Sequence, residues 1–326
     1  MQTINTKSNV AVYYELTKPK IWYLLVFTAF GAAITASNVF NIPISLQTWA
    51  LLLGGVAAGS AAANTLTNYH DRDIDAIMER TKNRPIPSRR IYPPEKARNF
   101  GLILAGISLA CAFGICFTAS FWQGILAGSF MAFGLVDNIL VYSYCLKRTS
   151  RTNIVLGGFS GGAPALIGYV AVTTTGLWDF GLVIAGLVFV WIPMHIWALT
   201  LHFKDDYKKV NIPMLTAVQS EKTSARIIAG TTLMMVLFSI VPFFLTHENG
   251  EPLMHEVYLY TAIASGVLMI ILSFWVVVKP TEKASWVLFK FSSPYLAVLF
   301  IALMVDSALY LDQRTKTKIL CRRYVR

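Results

Sequence analysis

The chain has 326 residues, of which 55% are hydrophobic and only 14% are charged, and its formal net charge is +11. Soluble domains carry about 25% charged residues, so the composition excludes an ordinary soluble enzyme and indicates a membrane protein. The positive charge does not indicate a nucleic-acid partner, because the basic residues lie in loops between apolar segments. The polar first twenty residues have no signal-peptide pattern, so we expect no removable targeting segment.

Nine segments are long and apolar enough to cross a lipid bilayer, which takes about 20 predominantly apolar residues each. They are residues 21–39, 48–69, 99–118, 120–142, 153–173, 178–201, 227–246, 257–278 and 291–311. The sequence therefore predicts an all-α integral membrane protein, a nine-transmembrane-helix bundle. Residues 1–20 form an N-terminal segment, 21–311 the transmembrane domain, and 312–326 a basic C-terminal tail.

Lysine and arginine are divided unevenly between the loops. Outside the tail, all of them lie before the first span or after the second, fourth, sixth or eighth. Because cytoplasmic loops are enriched in Lys and Arg, we expect a multi-pass cell-membrane protein with a cytoplasmic N-terminus and a cavity that opens toward the cytoplasmic side. Nine spans place the basic tail outside, and we interpret it as an exception to the rule.

The end of the second span carries the strongest candidate site, between Asn64 and Pro85. If the helix continues, Asp71 and Asp75 lie one turn apart on the same face. Oxygen ligands without neighbouring Cys or His suit a hard cation. Mg²⁺ takes one or two carboxylates together with water and substrate phosphates. The spacing therefore indicates a magnesium and phosphate site.

Basic residues follow these carboxylates closely. We expect Lys82 and Arg84 to have no acidic partner nearby, which suits phosphate oxygens. The alternative is a solvated helix end in which Arg72 and Arg80 balance the aspartates. Acidic residues at a membrane edge are costly without a role, which favours the functional interpretation.

Three further elements carry polar side chains. Asp206 lies just after the sixth span, where a second carboxylate could hold the other end of a diphosphate through its own Mg²⁺; the alternative is an ordinary loop. Lys147 and Arg148 can neutralise a leaving diphosphate, and the small residues of 157–164 favour close helix packing over a cavity wall. His195 lies inside the sixth span, two turns before His202, and an intramembrane histidine is a functional candidate.

These segments resemble the UbiA-type intramembrane prenyltransferase superfamily, and most closely its branch that farnesylates haem. The likeness covers residues 14–306, and its motifs are Leu16–Lys20, Asp71–Pro85, Tyr142–Asn153, Trp191–His195, Asp206–Leu215 and Lys290–Leu296. One departure is Thr67, which stands where the family has an asparagine four residues before Asp71.

The resemblance implies a site and two substrates. Mg²⁺ would be held by Asp71, Asp75 and Asp206, which with Lys147 are the expected catalytic residues. The diphosphate would contact Asn68, Arg72, Lys82, Arg84, Tyr142, Lys147 and Arg148. The substrates would be farnesyl diphosphate and protohaem IX, the second near His195 and His202, with haem A synthase as the downstream partner in the lipid bilayer.

Other functions remain open at this stage. Another member of the superfamily would act on a quinone or lipid acceptor. A transporter would line a path with its intramembrane polar residues, but it would place them near the bilayer midplane, whereas here they lie at the edge. A haem-handling assembly factor would need His195 but not the aspartates.

Overall fold

The computed structural model describes residues 8–324, and the side chains of residues 8–311. This part of the chain is built from helices, with one isolated bridge between Thr246 and Pro252. The α-helices are α1 Asn9–Leu16, α2 Pro19–Phe40, α3 Leu46–His70, α4 Arg72–Ile77, α5 Glu95–Gly114, α6 Phe121–Val136, α7 Asn153–Leu156, α8 Ala163–Val170, α9 Leu182–His202, α10 Lys204–Lys209, α11 Leu215–Val218, α12 Glu221–Phe238, α13 Glu256–Val278 and α14 Glu282–Tyr324. The π-helical segments are Asp137–Leu146 and Leu177–Gly181, and the 3₁₀ segments are Ile115–Phe117, Phe159–Gly161 and Val241–Phe244.

Nine helical segments of the described residues are long and apolar enough to cross a membrane, and each corresponds to one predicted span. They are Pro19–Phe40, Leu46–His70, Glu95–Phe117, Phe121–Leu146, Asn153–Val170, Leu177–His202, Glu221–Phe244, Glu256–Val278 and Glu282–Leu311. The prediction of a nine-helix membrane bundle is confirmed. The seventh and ninth spans begin well before residues 227 and 291, because polar first turns extend them beyond their apolar cores.

Short polar residues and one proline fix where spans begin. The Ser45 hydroxyl accepts the N–H of Thr48 at 3.1 Å, and the Ser220 hydroxyl accepts the N–H of Thr223 at 3.2 Å. Such N-caps satisfy amide donors that the first helical turn leaves without a partner. Pro19 opens α2, at a position where its missing N–H costs nothing. These starts follow from the local sequence.

The spans pack in two groups. In the first group α2, α3, α5, α6 and α8 pack on one another, and in the second α9, α12, α13 and α14 do so; α2 joins α14, and α8 joins α9. The α2–α8 crossing is closest at Gly168, where a Cβ would lie 2.1 Å from the Ala29 carbonyl oxygen. Small residues allow helices to approach this closely in a membrane.

The fifth predicted span is not a continuous helix. Between α7 and α8 the chain turns through a 3₁₀ segment at the small-residue run. A Cβ on Gly161 would lie 2.2 Å from the Ile192 Cδ1 atom, and one on Gly162 would lie 3.0 Å from the Ala185 carbonyl oxygen. These glycines therefore allow close packing against α9, as predicted, but Ser160, Gly161, Ala163 and Pro164 of the same run also line a cavity, which the sequence disfavoured.

The fourth span ends in a π-helical segment instead of an α-helix. The backbone N–H of Lys147 donates to the carbonyl oxygen of Tyr142 at 2.8 Å, five residues earlier. The Ser143 hydroxyl also reaches back five residues, to the Asn138 carbonyl oxygen at 2.9 Å. The wider turn places Asn138, Tyr142 and Lys147 on one face, at the cavity described below. Segments of this kind occur often at functional sites.

Helix α1 packs onto the loop that follows α4. Val12 and Leu16 of α1 are buried against Ile86 and Ile91 of that loop. Glu15 and Arg90 form two hydrogen bonds, 2.6 and 2.8 Å long, at the edge of this contact. The sequence pattern did not predict this docking, which brings the end of α1 against the loop.

Candidate functional site

A cavity of about 200 Å³ lies where α2, α3, α4 and the π-helical segment meet. We call it the polar chamber. Its charged lining residues are Lys18, Asp71, Asp75, Arg80, Arg84 and Lys147. The end of the second span and the end of the fourth span thus contribute opposite charges to one cavity.

Asp71 and Asp75 lie on the same face, as predicted. The N–H of Asp71 donates to Thr67 O at 2.9 Å and that of Asp75 donates to Asp71 O at 2.8 Å, so helical hydrogen bonding continues across the junction of α3 and α4. Both side chains are buried, each with 3% exposure. The spacing correctly predicted that the two carboxylates lie on one face, and the structure places both at the wall of the polar chamber.

Asp71 has one carboxylate oxygen engaged and one available. Lys147 Nζ donates to its Oδ2, while its Oδ1 is buried and has no hydrogen-bond partner within the described side chains. The Nη2 atom of Arg148 lies 4.0 Å from this Oδ1. A buried anionic oxygen without a donor is costly unless a ligand or ion completes it. Asp71 thus fits a cation-binding role.

Arg84 is the partner of Asp75. Its Nη1 donates to Asp75 Oδ2 at 2.7 Å and lies 3.3 Å from Asn68 Oδ1. Asn68 in turn donates to the Leu16 carbonyl oxygen at 2.9 Å. The prediction that Arg84 lacks an acidic partner is wrong, because the loop folds back over its own aspartate. Asn68 orients Arg84 from outside the chamber lining.

Lys18 is a chamber residue that the candidate set did not include. It precedes Pro19 with a left-handed backbone (φ 53°), which turns the chain between α1 and α2. Burial, and then the nearby Arg84 guanidinium, hold the pKa of the Lys18 ammonium well below its usual range. An arriving anion would relieve both effects. A lysine directly before the first proline of a membrane helix was the available signal.

Asp206 has a different environment from the other two aspartates. Its Oδ2 accepts the backbone N–H of Arg80 at 3.1 Å, and its Oδ1 lies 3.9 Å from Lys209 Nζ. Asp206 is buried but does not line the polar chamber, whereas its neighbour Tyr207 does. Within residues 8–311, no three acidic, His or Cys side chains form a metal cluster.

Two of the predicted diphosphate contacts, Arg72 and Lys82, do not line the polar chamber. Arg72 is exposed and donates to the Tyr69 carbonyl oxygen at 2.7 Å. Lys82 pairs with Glu79 at 2.5 Å on the surface, so the expectation that it lacks an acidic partner is wrong. Tyr142, in contrast, lines the chamber, and its contact with a diphosphate stays a prediction.

Arg148 also lies outside the chamber lining. Its two Nη atoms each donate to Asp73 at 2.7 Å, and this pairing lowers the pKa of Asp73 to about 2. Arg148 Nη2 also donates to the His70 carbonyl oxygen at 3.2 Å. These bonds fix the segment after the fourth span against the end of α3, and so keep Lys147 beside Asp71.

A second cavity of about 110 Å³ adjoins the polar chamber. We call it the apolar chamber, because most of its lining is apolar, for example Leu25, Val56, Phe130, Met131, Leu135 and Ile167. Ile21, Asn64 and Asn138 line both cavities, so they share a wall. A charged head group and a hydrocarbon chain of one ligand could therefore occupy neighbouring spaces.

The two candidate histidines lie apart from both chambers, among aromatic rings of α9 and α14. His195 stacks on Trp191 with ring centroids 4.0 Å apart, and His202 stacks on Trp286 at 4.7 Å. Neither lines the polar or the apolar chamber. The structure thus separates the phosphate-type site from the histidine site.

The sequence matches a known family over most of its length. The profile of the UbiA prenyltransferase family matches residues 24–304. The chain is 67% identical to protoheme IX farnesyltransferase 2 of Cenarchaeum symbiosum over 309 residues, which cover 95% of this chain and 99% of that one. It is 39% identical to protoheme IX farnesyltransferase of Thermoplasma volcanium, over 91% and 98% of the two chains.

Solved structures share the fold at low identity. A structure of digeranylgeranylglyceryl phosphate synthase superposes with a TM-score of 0.70 at 18% identity, covering 93% of this chain and 99% of the other. A UbiA homolog from Archaeoglobus fulgidus bound to GPP and Mg²⁺ gives a TM-score of 0.54 at 15% identity, covering 90% and 99%. At these identities the likeness supports the fold alone.

Proposed function

The chain belongs to the UbiA prenyltransferase family, and from this premise we propose that it transfers a farnesyl group from farnesyl diphosphate to a vinyl group of protohaem IX. The observation that carries the proposal is the polar chamber. Two buried carboxylates, Asp71 and Asp75, meet the cations of Lys147 and Arg84 beside an apolar cavity. This arrangement suits an isoprenoid diphosphate, which is anionic at one end and hydrocarbon at the other.

The residues of the polar chamber fit Mg²⁺. Asp71 and Asp75 would hold it, since the unpartnered Asp71 Oδ1 supplies a hard oxygen and Mg²⁺ accepts one or two carboxylates with water and phosphates. Bound there, the ion supplies charge neutralisation on the diphosphate oxygens. A second ion at Asp206 stays a prediction, which the variant Asp206→Asn tests.

The protein cations act on the leaving group. As the allylic carbon–oxygen bond breaks, its electron pair leaves with the diphosphate, and negative charge grows there. Lys147, Arg84 and Lys18 are fixed at the chamber wall, so they stabilise that charge more in the transition state than in the ground state. The apolar chamber holds the isoprenoid chain and excludes water from the allylic cation.

Carbon–carbon bond formation follows at the acceptor. The π electrons of a haem vinyl group attack the allylic cation, and the positive charge moves to the vinyl carbon next to the macrocycle. Water adds to that carbon and loses a proton, which leaves a hydroxyethylfarnesyl side chain. We further propose that haem A synthase consumes this product, and that the polar chamber faces the cytoplasm, as the distribution of Lys and Arg predicts.

A quinone or lipid acceptor is the competing proposal. The fold alone does not identify the acceptor, because one of the structures with this fold is of a digeranylgeranylglyceryl phosphate synthase. The sequence favours haem, since the identity to two protoheme IX farnesyltransferases is 67% and 39% over nearly the whole chain.

Mass spectrometry of the extracted haem tests the proposal. The purified protein in detergent is incubated with protohaem IX, farnesyl diphosphate and Mg²⁺. A Mg²⁺-dependent gain of a hydroxyethylfarnesyl group supports it. If the folded protein modifies a quinone or a glycerol lipid instead, and leaves haem unchanged, the acceptor is wrong. Geranylgeranyl diphosphate in a parallel reaction checks the length of the donor.

A further inference from the structure

Five aromatic rings form a continuous stack between α9 and α14. In order they are Trp191, His195, Phe289, Trp286 and His202, with centroid separations of 4.0, 4.5, 5.2 and 4.7 Å and interplanar angles of 24°, 30°, 19° and 23°. We call this stack the aromatic column. Offset ring stacking at such distances is favourable. The column therefore holds each histidine ring in a fixed orientation.

The hydrogen bonds around Ser292 determine the tautomer of His195. The Ser292 hydroxyl donates its proton to the Phe289 carbonyl oxygen at 2.7 Å. A hydroxyl has a single proton to donate, so at its 2.6 Å contact with His195 Nδ1 it must accept. Nδ1 of His195 therefore carries the proton, and the lone pair of the neutral ring lies on Nε2.

That Nε2 atom is available for a ligand. It has no hydrogen-bond partner among the described side chains, and it is not fully buried. A histidine with a purely structural role normally uses both ring nitrogens. A protonated Nδ1 fixed by an acceptor and a free Nε2 is the arrangement found in metal-ligating histidines.

We propose that His195 Nε2 is the axial ligand of the iron of the acceptor haem. The inference rests on the proposed function, which makes haem the acceptor. An axial Fe–N bond lies in the plane of the imidazole, so the macrocycle stands perpendicular to that plane. The haem would therefore lie along the side of the aromatic column, against the edges of Trp191, Phe289 and Trp286.

Two cations lie near the His202 end of the column. Lys290 Nζ lies 5.0 Å from the Trp286 ring, where a cation can pair with a propionate. At the end of the column, Phe203 contacts the His202 and Trp286 rings, and Arg80 lies 5.3 Å over Phe203. Because Arg80 lines the polar chamber, the column and the diphosphate site are joined through Arg80 and Phe203.

His202 offers a matched comparison within the same column. Its Nδ1 donates to the Glu282 carbonyl oxygen at 2.9 Å, so its Nε2 also bears the lone pair. However, it lies seven residues further along α9, about 10 Å by the helical rise, at the start of a charged loop. His195 has a ring on each face, from Trp191 and Phe289, which suits an apolar macrocycle better.

Absorption and electron paramagnetic resonance spectra of bound ferric protohaem IX test the proposal, with no isoprenoid diphosphate present. Wild type should give a histidine-ligated spectrum. His195→Ala should lose it and recover it with added imidazole, whereas His202→Ala should keep it. Ser292→Ala, which frees the tautomer, should weaken haem binding about 10- to 100-fold. Unchanged thermal unfolding confirms that each variant is folded.

Two results overturn the proposal: an unchanged spectrum in His195→Ala, or a loss confined to His202→Ala, which would place the iron at the loop. Turnover is measured separately with wild type, haem and farnesyl diphosphate. If the wild type turns over and the haem spectrum of His195→Ala is unchanged, His195 is not the iron ligand but the proposed reaction stands. If the spectrum is lost in His195→Ala but the wild type does not turn over, the proposed reaction is wrong but the haem site stands.

Discussion

The end of the second span and the end of the sixth span both bury aspartates, but they give them different partners. Asp71 and Asp75 pair with the side chains of Lys147 and Arg84 inside the polar chamber. Asp206 instead accepts a backbone N–H, that of Arg80, and so fastens one loop to another. A side-chain cation can move to a substrate anion, whereas a backbone amide cannot leave its place.

This difference indicates that Asp71 and Asp75 take part in the reaction, whereas Asp206 holds a loop in position. The pairs of the second span hold charges that an incoming diphosphate can share. The bond of Asp206 fixes Arg80, which contacts Tyr207 at 3.4 Å and Phe203 through its guanidinium. Removing the carboxylate of Asp71 should therefore reduce the reaction rate most. Removing that of Asp206 should mainly affect the position of Arg80 and the stability of the protein.

The largest expected effect is that of Asp71→Asn. The amide cannot bind Mg²⁺ as a carboxylate does, so we expect the rate of farnesyl transfer to fall at least about 10²–10³-fold, the size of effect seen when a charge-stabilising group is removed. The rate is measured as hydroxyethylfarnesyl haem formed per minute.

Asp73→Asn is the matched control for this variant. Asp73 lies two residues away, but its side chain is 59% exposed and pairs with Arg148 outside the chamber. It should retain most of the activity, because the amide oxygen of Asn still accepts from Arg148, and Arg148 keeps its bond to the His70 carbonyl oxygen, so Lys147 stays beside Asp71. Equal losses in the two variants, or full activity of Asp71→Asn, would reject the metal assignment.

The second effect is on stability, at the Lys147–Asp71 pair. Lys147→Ala leaves a buried carboxylate without its cation, which should lower the free energy of unfolding by about 3–5 kcal/mol. The double variant Lys147→Ala/Asp71→Ala removes both charges and should be more stable than Lys147→Ala alone, while both stay inactive. Thermal unfolding in detergent measures this. A double variant no more stable than the single one would show that the pair is not coupled.

The spans and their polar ends could be predicted because hydropathy and helical spacing are local properties. Within residues 8–324 each of the nine apolar segments corresponds to one candidate span, and the separation of Asp71 from Asp75 correctly placed them on one face. Partners could not be predicted in this way. Lys147 is 76 residues from Asp71, and only packing of the fourth span against the second brings them together.

Two backbone features could not be predicted from the sequence either. The π-helical segment shifts Lys147 onto the face of Tyr142, and an α-helical reading of the same residues does not predict that register. Lys18 reaches the chamber because α1 docks on the loop after α4, a contact between distant segments. Predicting either required tertiary structure, since propensity alone favours an ordinary helix end.

The third prediction tests the role of Asp206. Asp206→Asn keeps an oxygen that can accept the Arg80 N–H, so we expect a loss of activity of about tenfold or less, well below that of Asp71→Asn. Asp206→Ala removes the acceptor and should cost about 1–2 kcal/mol of stability as well. Rates are compared across Mg²⁺ concentrations. A loss in Asp206→Asn as large as in Asp71→Asn would instead support a second ion at Asp206.

The smallest expected effect lies farthest from the chemistry, at the Glu15–Arg90 contact. This half-buried pair holds α1 on the loop, and α1 sets the position of Lys18. Glu15→Gln removes an ion pair worth about 0.2–1 kcal/mol. We expect the KM for farnesyl diphosphate to rise by about fivefold at most, with kcat unchanged, in steady-state kinetics.

Glu79→Gln serves as the comparison for Glu15→Gln. It removes a more exposed ion pair, with Lys82, which does not involve α1. Its KM should equal that of the wild type. A rise in KM confined to Glu15→Gln assigns the effect to docking of the N-terminal segment. Equal changes in both variants would mean that surface charge, and not the position of Lys18, controls diphosphate binding, because the two substitutions remove the same charge from the same membrane face.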